Sequence, residues 1–164
     1  MLTALYAFCS ETGCADGAGP LAGLIMDRAG NFYGTTVGGG QGCFGSGCGT
    51  VFRLAPDGTE TVLYSFTGGA DGSNPYGAVI RDNGGNLYGT TRLGGAYGFG
   101  TAFKLAADGT ETVLHAFTNG KDGSQPNAAL LMDRKGRLYS TADYGAKTRC
   151  YNKEGCGTVF RVKE

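Results

Sequence analysis

Six cysteines and a single histidine carry the most reactive side chains of this 164-residue sequence. The cysteines form three sequence-local pairs, namely Cys9 with Cys14, Cys43 with Cys48, and Cys150 with Cys156. Their C-x4-C and C-x5-C spacings lack the C-x2-C motif that is typical of structural zinc sites and of thiol redox enzymes. The spacings therefore favour structural disulfides over the alternative of a shared zinc site, and disulfides indicate an oxidising compartment.

The histidine and three aspartates are the remaining candidates for chemistry. A Ser-His-Asp or Cys-His site would have to use His115, and because no nucleophile is paired with it we predict no enzyme and no cofactor. Asp16, Asp71 and Asp122 each precede a glycine and lie four residues before a proline. Carboxylates can bind Ca²⁺ or sugar hydroxyls, although Asp before Gly is mostly a turn former. These three aspartates are the candidate binding residues, with Ca²⁺ as the only candidate ion.

These residues lie within three copies of one sequence pattern. Each copy has a Leu-aromatic-x-Phe segment, an Asp-Gly-x-x-Pro loop, a Tyr-Gly-Thr-Thr-like segment and a Gly-Thr-x-Phe segment. The first segments begin at Leu5, Leu63 and Leu114. Self-similarity at this period is typical of repeat architectures, and units of about 50 residues are too short to bury a core alone. We predict one repeat domain over residues 1–164, with repeats at 1–54, 55–105 and 106–164.

The loops that contain cysteine are the longest of their kind. The first variable loop, from Phe to Asp, spans eight residues in repeat 1 and five in repeats 2 and 3. The second variable loop, from Tyr to Gly, spans sixteen, twelve and eighteen residues in the three repeats. Only the extended loops contain cysteine, so we expect each pair to close its own loop. Closing so short a loop contributes about 2 kcal/mol to stability.

The middle repeat predicts four short antiparallel strands. Residues 60–66 alternate apolar and polar side chains, residues 78–80 form a short apolar run, and strands at 86–91 and 101–105 follow after tight turns. In such a meander the short Asp-Gly and Gly-Gly turns lie at one edge and the variable loops at the other. We expect function at the variable edge, because binding sites gather on loops held by a rigid scaffold.

Composition narrows the class of protein and of partner. The chain has 32 glycines, yet 41% of its residues are hydrophobic, which favours a turn-rich globular β protein over a disordered tract. Fourteen basic and fourteen acidic residues give zero net charge, so no nucleic-acid partner is expected. The sequence contains no stretch of 18 apolar residues, so no membrane insertion is expected. The first residues resemble a strand rather than a signal peptide.

Residues 82–91, followed by Gly94-Gly95 and residues 100–105, resemble the GloVer-type tandem repeat of bacterial exported proteins. They also resemble, more loosely, the blade motif of two-component-regulator propellers. The resemblance covers nearly the whole chain, and it implies propeller-like blades, an extracellular or periplasmic setting and no assigned catalytic chemistry. We therefore expect an all-β fold of three tandem four-stranded repeats, with a β-trefoil as the alternative.

The two ends of the chain suggest how three repeats are completed. The sequence starts on a Leu-Tyr-Ala-Phe strand and ends just after the Gly-Thr-Val-Phe strand that precedes it elsewhere. Residues 2–8 are therefore the expected partner of residues 158–162. Pairing within one chain would close a ring, whereas pairing between chains would build a homo-oligomer or a filament, and either outcome covers open sheet edges.

Together these observations predict a secreted structural or self-assembling interaction protein. The alternative is a carbohydrate-binding module that presents aromatic and Asp-bearing loops to a glycan at the cysteine-bearing edge. A propeller glycosidase or lactonase is a third reading. Tyr33, Tyr88 and Tyr139 are expected in core or blade-to-blade contacts, and Arg53, which alternates with phenylalanine in its strand, is expected on a solvated face.

Overall fold

The computed structural model describes residues 1–43, 47–146 and 155–163 of the chain. Helical structure within these residues is limited to one 3₁₀ turn, Thr12–Cys14. The strands are β1 Ile25–Met26, β2 Phe32–Thr36, β3 Thr50–Leu54, β4 Glu60–Ser65, β5 Ile80–Arg81, β6 Leu87–Thr91, β7 Thr101–Leu105, β8 Glu111–Ala116, β9 Leu131–Met132, β10 Leu138–Ala142 and β11 Thr158–Val162.

The strands form three antiparallel sheets, which we name blades A, B and C. Blade A has the order β1-β2-β3-β4, blade B has β5-β6-β7-β8, and blade C has β11-β10-β9. This confirms the expected all-β fold with propeller-like blades, and the sheets are not closed into a ring. Each blade is a simple meander, which is not the arrangement of the trefoil alternative.

Blades A and B share the same strand register. In both, the third and fourth strands pair with one bulge, which lies between Val51 and Phe52 in blade A and between Ala102 and Phe103 in blade B. A bulge adds one residue to one strand and increases the local twist. The first strand of each blade has only two residues, and its second residue in blade B, Arg81, is exposed.

Each blade combines strands from two repeats. The fourth strand of blade A, β4, begins repeat 2, and the fourth strand of blade B, β8, begins repeat 3. The described residues after β11 do not provide a fourth strand for blade C. The segment at residues 1–8, which matches β4 and β8 in sequence, has no strand assignment and is mostly exposed.

Two hydrophobic cores hold the blades together. We call the blade face that carries the third-strand phenylalanine (Phe52, Phe103 or Phe160) the leading face, and the face that carries the second-strand tyrosine (Tyr33, Tyr88 or Tyr139) the trailing face. The trailing face of A packs on the leading face of B through Tyr33, Cys48, Val51, Phe66, Val79, Leu87, Phe103 and Leu105. The trailing face of B packs on the leading face of C through Tyr88, Ala102, Phe117, Leu130, Leu138, Ala142, Phe160 and Val162.

A phenylalanine after each outer strand fastens it to the next blade. Phe66, which follows β4, meets Phe103 of blade B edge to face with ring centroids 5.1 Å apart. Phe117 meets Phe160 of blade C in the same way at 4.8 Å. Phe8 meets Phe52 of blade A at 4.8 Å. Such T-shaped contacts stabilise beyond their buried area, and the third one places the N-terminal segment on the leading face of blade A.

The short-turn edge is organised by an aspartate in each repeat. Asp27 accepts hydrogen bonds from the Asn31 side chain at 3.0 Å and from the Tyr33 hydroxyl at 2.9 Å. The Asn31 side chain and backbone bonds lower the pKa of Asp27 to about 2. Asp82 and Asp133 repeat this arrangement with Tyr88 and Tyr139. Each turn therefore positions the tyrosine that its blade presents on the trailing face.

Candidate functional site

The outer edge of β11 is the one strand edge at which blade C differs from its equivalents. β3 and β7 have partners on both sides, whereas β11 pairs only with β10. A groove of about 400 Å³ lies along β11 and is lined by Leu114, His115, Asp122 and residues 159–163. An exposed edge leaves backbone donors and acceptors free to pair with another strand.

The trailing face of blade C is uncovered at the positions that are buried in blades A and B. Val159 is 81% exposed, whereas its equivalents Val51 and Ala102 are 0% exposed. Leu131 is 68% exposed, whereas Ile25 and Ile80 at the same position are half-buried. The difference follows from the blade order, because A and B each have a following blade on this face.

Complementary apolar side chains are exposed at the opposite end of the row. Leu24 on the leading face of blade A is 53% exposed, while its equivalents Val79 and Leu130 are 0% and 3% exposed. Leu5 in the N-terminal segment is 62% exposed, while Leu63 at the same position packs against the A/B core. The leading face of A and the trailing face of C thus lack the neighbouring blade that covers each internal face.

Polar contacts between blades repeat in the same way. The Thr35 hydroxyl donates to the Gly77 carbonyl of blade B at 3.2 Å, and the Thr90 hydroxyl donates to the Ala128 carbonyl at 3.2 Å. Thr141 is the equivalent residue of blade C, and it is exposed. By the same alignment, the matching carbonyl is that of Ala22 before blade A.

The three candidate binding aspartates lie at the ends of the outer strands, each engaged by its own loop. Asp16 accepts from the Tyr6 hydroxyl at 3.0 Å and from the Ser10 backbone at 2.9 Å. Asp71 and Asp122 accept from the backbone and hydroxyl of a threonine four residues earlier. The structure therefore gives these side chains the role of turn formers, and ligand binding by them stays a prediction.

His115 occupies the place of a tyrosine in this arrangement. Its Nε2 lies 3.0 Å from Asp122 Oδ2, as the Tyr64 hydroxyl lies 3.2 Å from Asp71. Burial alone would raise the pKa of Asp122, but hydrogen bonds from Thr118 and His115 outweigh it and lower that pKa. The histidine thus packs and bonds as its tyrosine equivalents do.

Two glutamates near these aspartates have unusually high proton affinity. Burial raises the pKa of Glu60 to about 7, with a further contribution from Asp16 and Glu11. Burial likewise raises the pKa of Glu111 to about 7, with a contribution from Asp71. One carboxylate oxygen of each glutamate is buried without a hydrogen-bond partner. These carboxyls lie on the outer strands β4 and β8 and are candidates for pH-dependent stability.

Two of the expected disulfides are present in the described residues. Cys9 bonds to Cys14 with Cα atoms 4.0 Å apart, and Cys43 bonds to Cys48 with Cα atoms 5.3 Å apart. The second bridge contributes Cys48 to the A/B core. Cys156 is also disulfide-bonded, and Cys150, its expected partner, lies outside the described residues.

One cavity lies at the short-turn edge, between blades A and B. It has a volume of about 240 Å³ and is lined by Tyr33, Arg53, Leu63 and Arg81 among others. Arg53 is half-buried there rather than on a solvated face. Arg53 and Arg81 line the same cavity only because of how the two blades pack, which the strand pattern of a single repeat does not predict.

Residues 1–43, 47–146 and 155–163 contain no cluster of three or more His, Cys, Asp or Glu side chains arranged to hold a metal. In that part of the chain, no helix has the length and apolar character that crossing a bilayer requires.

Comparison with known families matches this architecture. A family model described as the Gloeobacter/Verrucomicrobia repeat covers residues 1–164. The chain belongs to this family. The match confirms the family resemblance that the Tyr-Gly-Thr-Thr and Gly-Thr-x-Phe segments suggest, and it extends over residues 1–164.

Among solved structures, one that carries the name gluconolactonase is similar to this Gloeobacter/Verrucomicrobia repeat protein. The two are 20% identical, with a TM-score of 0.44, and the match covers 82% of this chain and 45% of that one. The chain therefore spans less than half the length of that protein. No curated protein matches the sequence. The likeness assigns no activity to this chain, and the absence of enzyme activity stays a prediction.

Proposed function

We propose that this protein is an extracellular structural protein that assembles head to tail with further copies of itself. In this assembly the N-terminal segment, residues 2–8, supplies the missing fourth strand of blade C in a neighbouring copy. The observation that carries the proposal is the 81% exposure of Val159 at a position that is fully buried in blades A and B. Exposed apolar patches and open strand edges are typical of surfaces that bind another chain.

The internal blades specify the register of the donated strand. Val51 pairs with Tyr64, and Ala102 pairs with His115, at the position that Val159 occupies in blade C. Transferring this register pairs Val159 with Tyr6 of the neighbouring copy. It also pairs Val162 with Leu2, because Leu54 pairs with Glu60 and Leu105 with Glu111. The bulge then falls at Leu5, and the strand enters the groove along β11.

The same transfer assigns the contacts between the two open faces. Val159 and Leu131 on the trailing face of blade C would pack against Leu24 and Phe8 on the leading face of blade A in the neighbouring copy. The Thr141 hydroxyl would donate to the Ala22 carbonyl, as Thr35 donates to Gly77. The interface is heterologous, and repeating it gives a ring where the rotation closes and a filament where it does not.

Side-chain burial provides the driving force for this association. Full burial of a Val or Leu side chain contributes about 1.5–3 kcal/mol, and Val159, Leu131, Leu5 and Leu24 are each more than half exposed. Association itself costs about 4–15 kcal/mol in lost freedom. Scaled by their exposed fractions, the four side chains contribute about 4–8 kcal/mol, which offsets the lower part of that cost, and the new strand ladder adds to it.

Pairing between chains is favoured over pairing within one chain by the order of the blades. A packs on B and B packs on C, so blade B lies between the other two. Phe8 holds the N-terminal segment at the leading face of A, and β11 belongs to C. The donor strand and its acceptor therefore lie at opposite ends of the row.

An extracellular setting is supported by the disulfides. Loops closed by Cys9–Cys14 and Cys43–Cys48 persist in oxidising compartments and are rare in reducing ones. Cell fractionation with a thiol-reactive label tests this part of the proposal. Full protection of all six cysteines in exported material is expected, and free thiols on protein retained in a reducing cytosol would contradict it.

The carbohydrate-binding alternative stays a prediction. Asp16, Asp71 and Asp122, which motivated it, have their oxygens engaged within their own loops. A sugar hydroxyl would have to compete with these bonds, so the self-assembly proposal is the better supported. A glycan-array screen tests the alternative, and specific binding that is lost in an Asp71→Asn variant would revive it.

Two matched substitutions test the proposed interface. Val159→Glu introduces a charge into the strand ladder and Leu5→Glu does the same on the donor, so each should abolish association measured by sedimentation. Tyr97→Glu is the control, because Tyr97 is 61% exposed and lies on a blade B loop outside the interface. Association that survives Val159→Glu, or that Tyr97→Glu removes equally, would contradict the proposal.

A further inference from the structure

The cavity between blades A and B carries two cationic side chains without acidic partners. Within the described residues, neither the Arg53 nor the Arg81 guanidinium forms a salt bridge with a carboxylate. Arg53 Nη2 has one long hydrogen bond to Thr61 Oγ1 at 3.4 Å, and its Nε is buried without an acceptor. Burying a charged donor without an acceptor is costly, so a bound anion would relieve that cost.

Nearby aspartates are already committed to their own turns. Asp27 is held by Asn31 and Tyr33, and Asp57 accepts from the Thr59 backbone at 2.9 Å. Asp82 is held by Asn86 in the same way. Hydrogen bonds from Thr59, with a contribution from the Arg53 charge, lower the pKa of Asp57. Within the described residues, none of these aspartates forms a salt bridge with the Arg53 or Arg81 guanidinium.

The repeat itself distinguishes this cavity from the other blade junction. Arg81 replaces the Met26 and Met132 of the other two repeats, so only the A/B junction combines two arginines with a tyrosine. A residue that all copies share serves the scaffold, whereas Arg81 is present once and makes no ion pair. The Arg81 guanidinium centre lies 5.6 Å from the centroid of the Tyr33 ring, which fixes it at the mouth of the cavity.

We propose that this cavity binds a small carboxylate-bearing solute between Arg53 and Arg81. Guanidinium groups bind carboxylates in a planar, two-pronged geometry. Leu63, Leu87 and Leu105 line part of the wall, and an apolar surrounding strengthens an ion pair. The volume of about 240 Å³ limits the ligand to roughly one sugar ring or a short organic acid. The carboxylate can belong to a free acid or to a uronic acid residue of a polysaccharide.

Calorimetric titration of the intact chain with D-glucuronate tests this site, with D-glucose as the uncharged probe and inorganic phosphate as the tetrahedral anion. Glucuronate should bind, glucose should not, and binding should weaken as salt is added. A galacturonate trimer that binds tenfold more tightly than monomeric galacturonate would show that the natural carboxylate belongs to a polysaccharide. Equal affinity of the trimer and the monomer would show that it belongs to a free acid.

Arg81→Met provides the decisive variant, because methionine occupies this position in the other two repeats and is compatible with the fold. It should weaken glucuronate binding at least tenfold. Arg28→Met is the matched control, because Arg28 is exposed at the same edge outside this cavity and should not change binding. Equal affinity in wild type and Arg81→Met, binding of phosphate in preference to glucuronate, or an equal loss in Arg28→Met would overturn the proposal. The site lies away from the open faces, so these results are independent of self-assembly.

Discussion

Replacing Phe66 by alanine should show how much of the stability depends on one contact between blades. Phe66 is 0% exposed and meets Phe103 edge to face in the A/B core. Removing a buried phenylalanine costs about 3–5 kcal/mol, as lost transfer energy plus the cavity left behind. Domains of this kind have about 5–15 kcal/mol of stability in total, so Phe66→Ala should remove a large share of it.

Phe8 is a matched comparison that the repeat itself provides. It makes the same ring contact with Phe52, at 4.8 Å, but it is only half-buried because none of blades A, B and C covers its other side. Phe8→Ala should therefore cost roughly half as much as Phe66→Ala at concentrations where the chain is monomeric. Tyr97→Ala, at an exposed ring, should cost less than about 0.5 kcal/mol.

Urea unfolding monitored by circular dichroism and tyrosine fluorescence measures these differences, since the chain has no tryptophan. Phe66→Ala should also lower the Tm by roughly 10 °C for a domain of this size. Equal losses for Phe8→Ala and Phe66→Ala would refute the reasoning, because they would mean that a blade on the preceding side does not determine the burial of these rings.

Three further predictions concern pH, inter-blade hydrogen bonds and disulfides. Glu60 and Glu111 have pKa values raised to about 7 from 4.5, so the folded state binds more protons in that range and stability should fall as pH rises from about 5 to 7.5. The Tm of the double Gln variant should depend less on pH over this range, and an unchanged slope would contradict the assignment. Thr35→Val should lower the free energy of unfolding, measured in urea, by about 1 kcal/mol. Thr141→Val should leave the stability of the monomer unchanged and weaken association. A destabilised Thr141→Val monomer would count against the blade order. Reducing the disulfides should lower stability by about 2 kcal/mol for each loop without separating the blades, as near-UV circular dichroism would detect.

The fold was largely predictable from the sequence because the same strand pattern occurs in three copies. Alternation at residues 60–66 and the Asp-Gly turns fixed the meander, and strand β4 follows that pattern closely. The length of the extended loops indicated which cysteines pair. Strand alternation, tight turns and short-range cysteine pairing all depend on residues close together in the sequence, so the sequence pattern predicts them.

The arrangement of the two open ends was predictable only in part. The sequence indicated that residues 2–8 match the outer strands, but the exposure of Val159 and Leu24 depends on which blade follows which. The cavity with Arg53 and Arg81 could not be predicted, since these residues are 28 positions apart and meet through packing between sheets. The substitution of Met by Arg at position 81 was the signal that could have identified it.

The repeat design explains why the open ends are complementary. Blades A and B take their fourth strand from the next repeat, so within the described residues the N-terminal segment is an unpaired equivalent of that strand and blade C lacks one. The N-terminal segment and the open edge of β11 are equivalent to partners that pair twice inside the chain. Self-assembly by this route would use the same kind of contact that joins the blades within the chain.

Molar mass measured by light scattering during size-exclusion chromatography tests the central claim most directly. The chain has a mass of 16.8 kDa, so head-to-tail assembly predicts species at twice that mass or larger, with a share that grows with concentration. Val159→Glu should return the protein to the monomer mass. A wild-type chain that remains at the monomer mass up to about 100 µM, or assemblies that persist in Val159→Glu, would contradict the account.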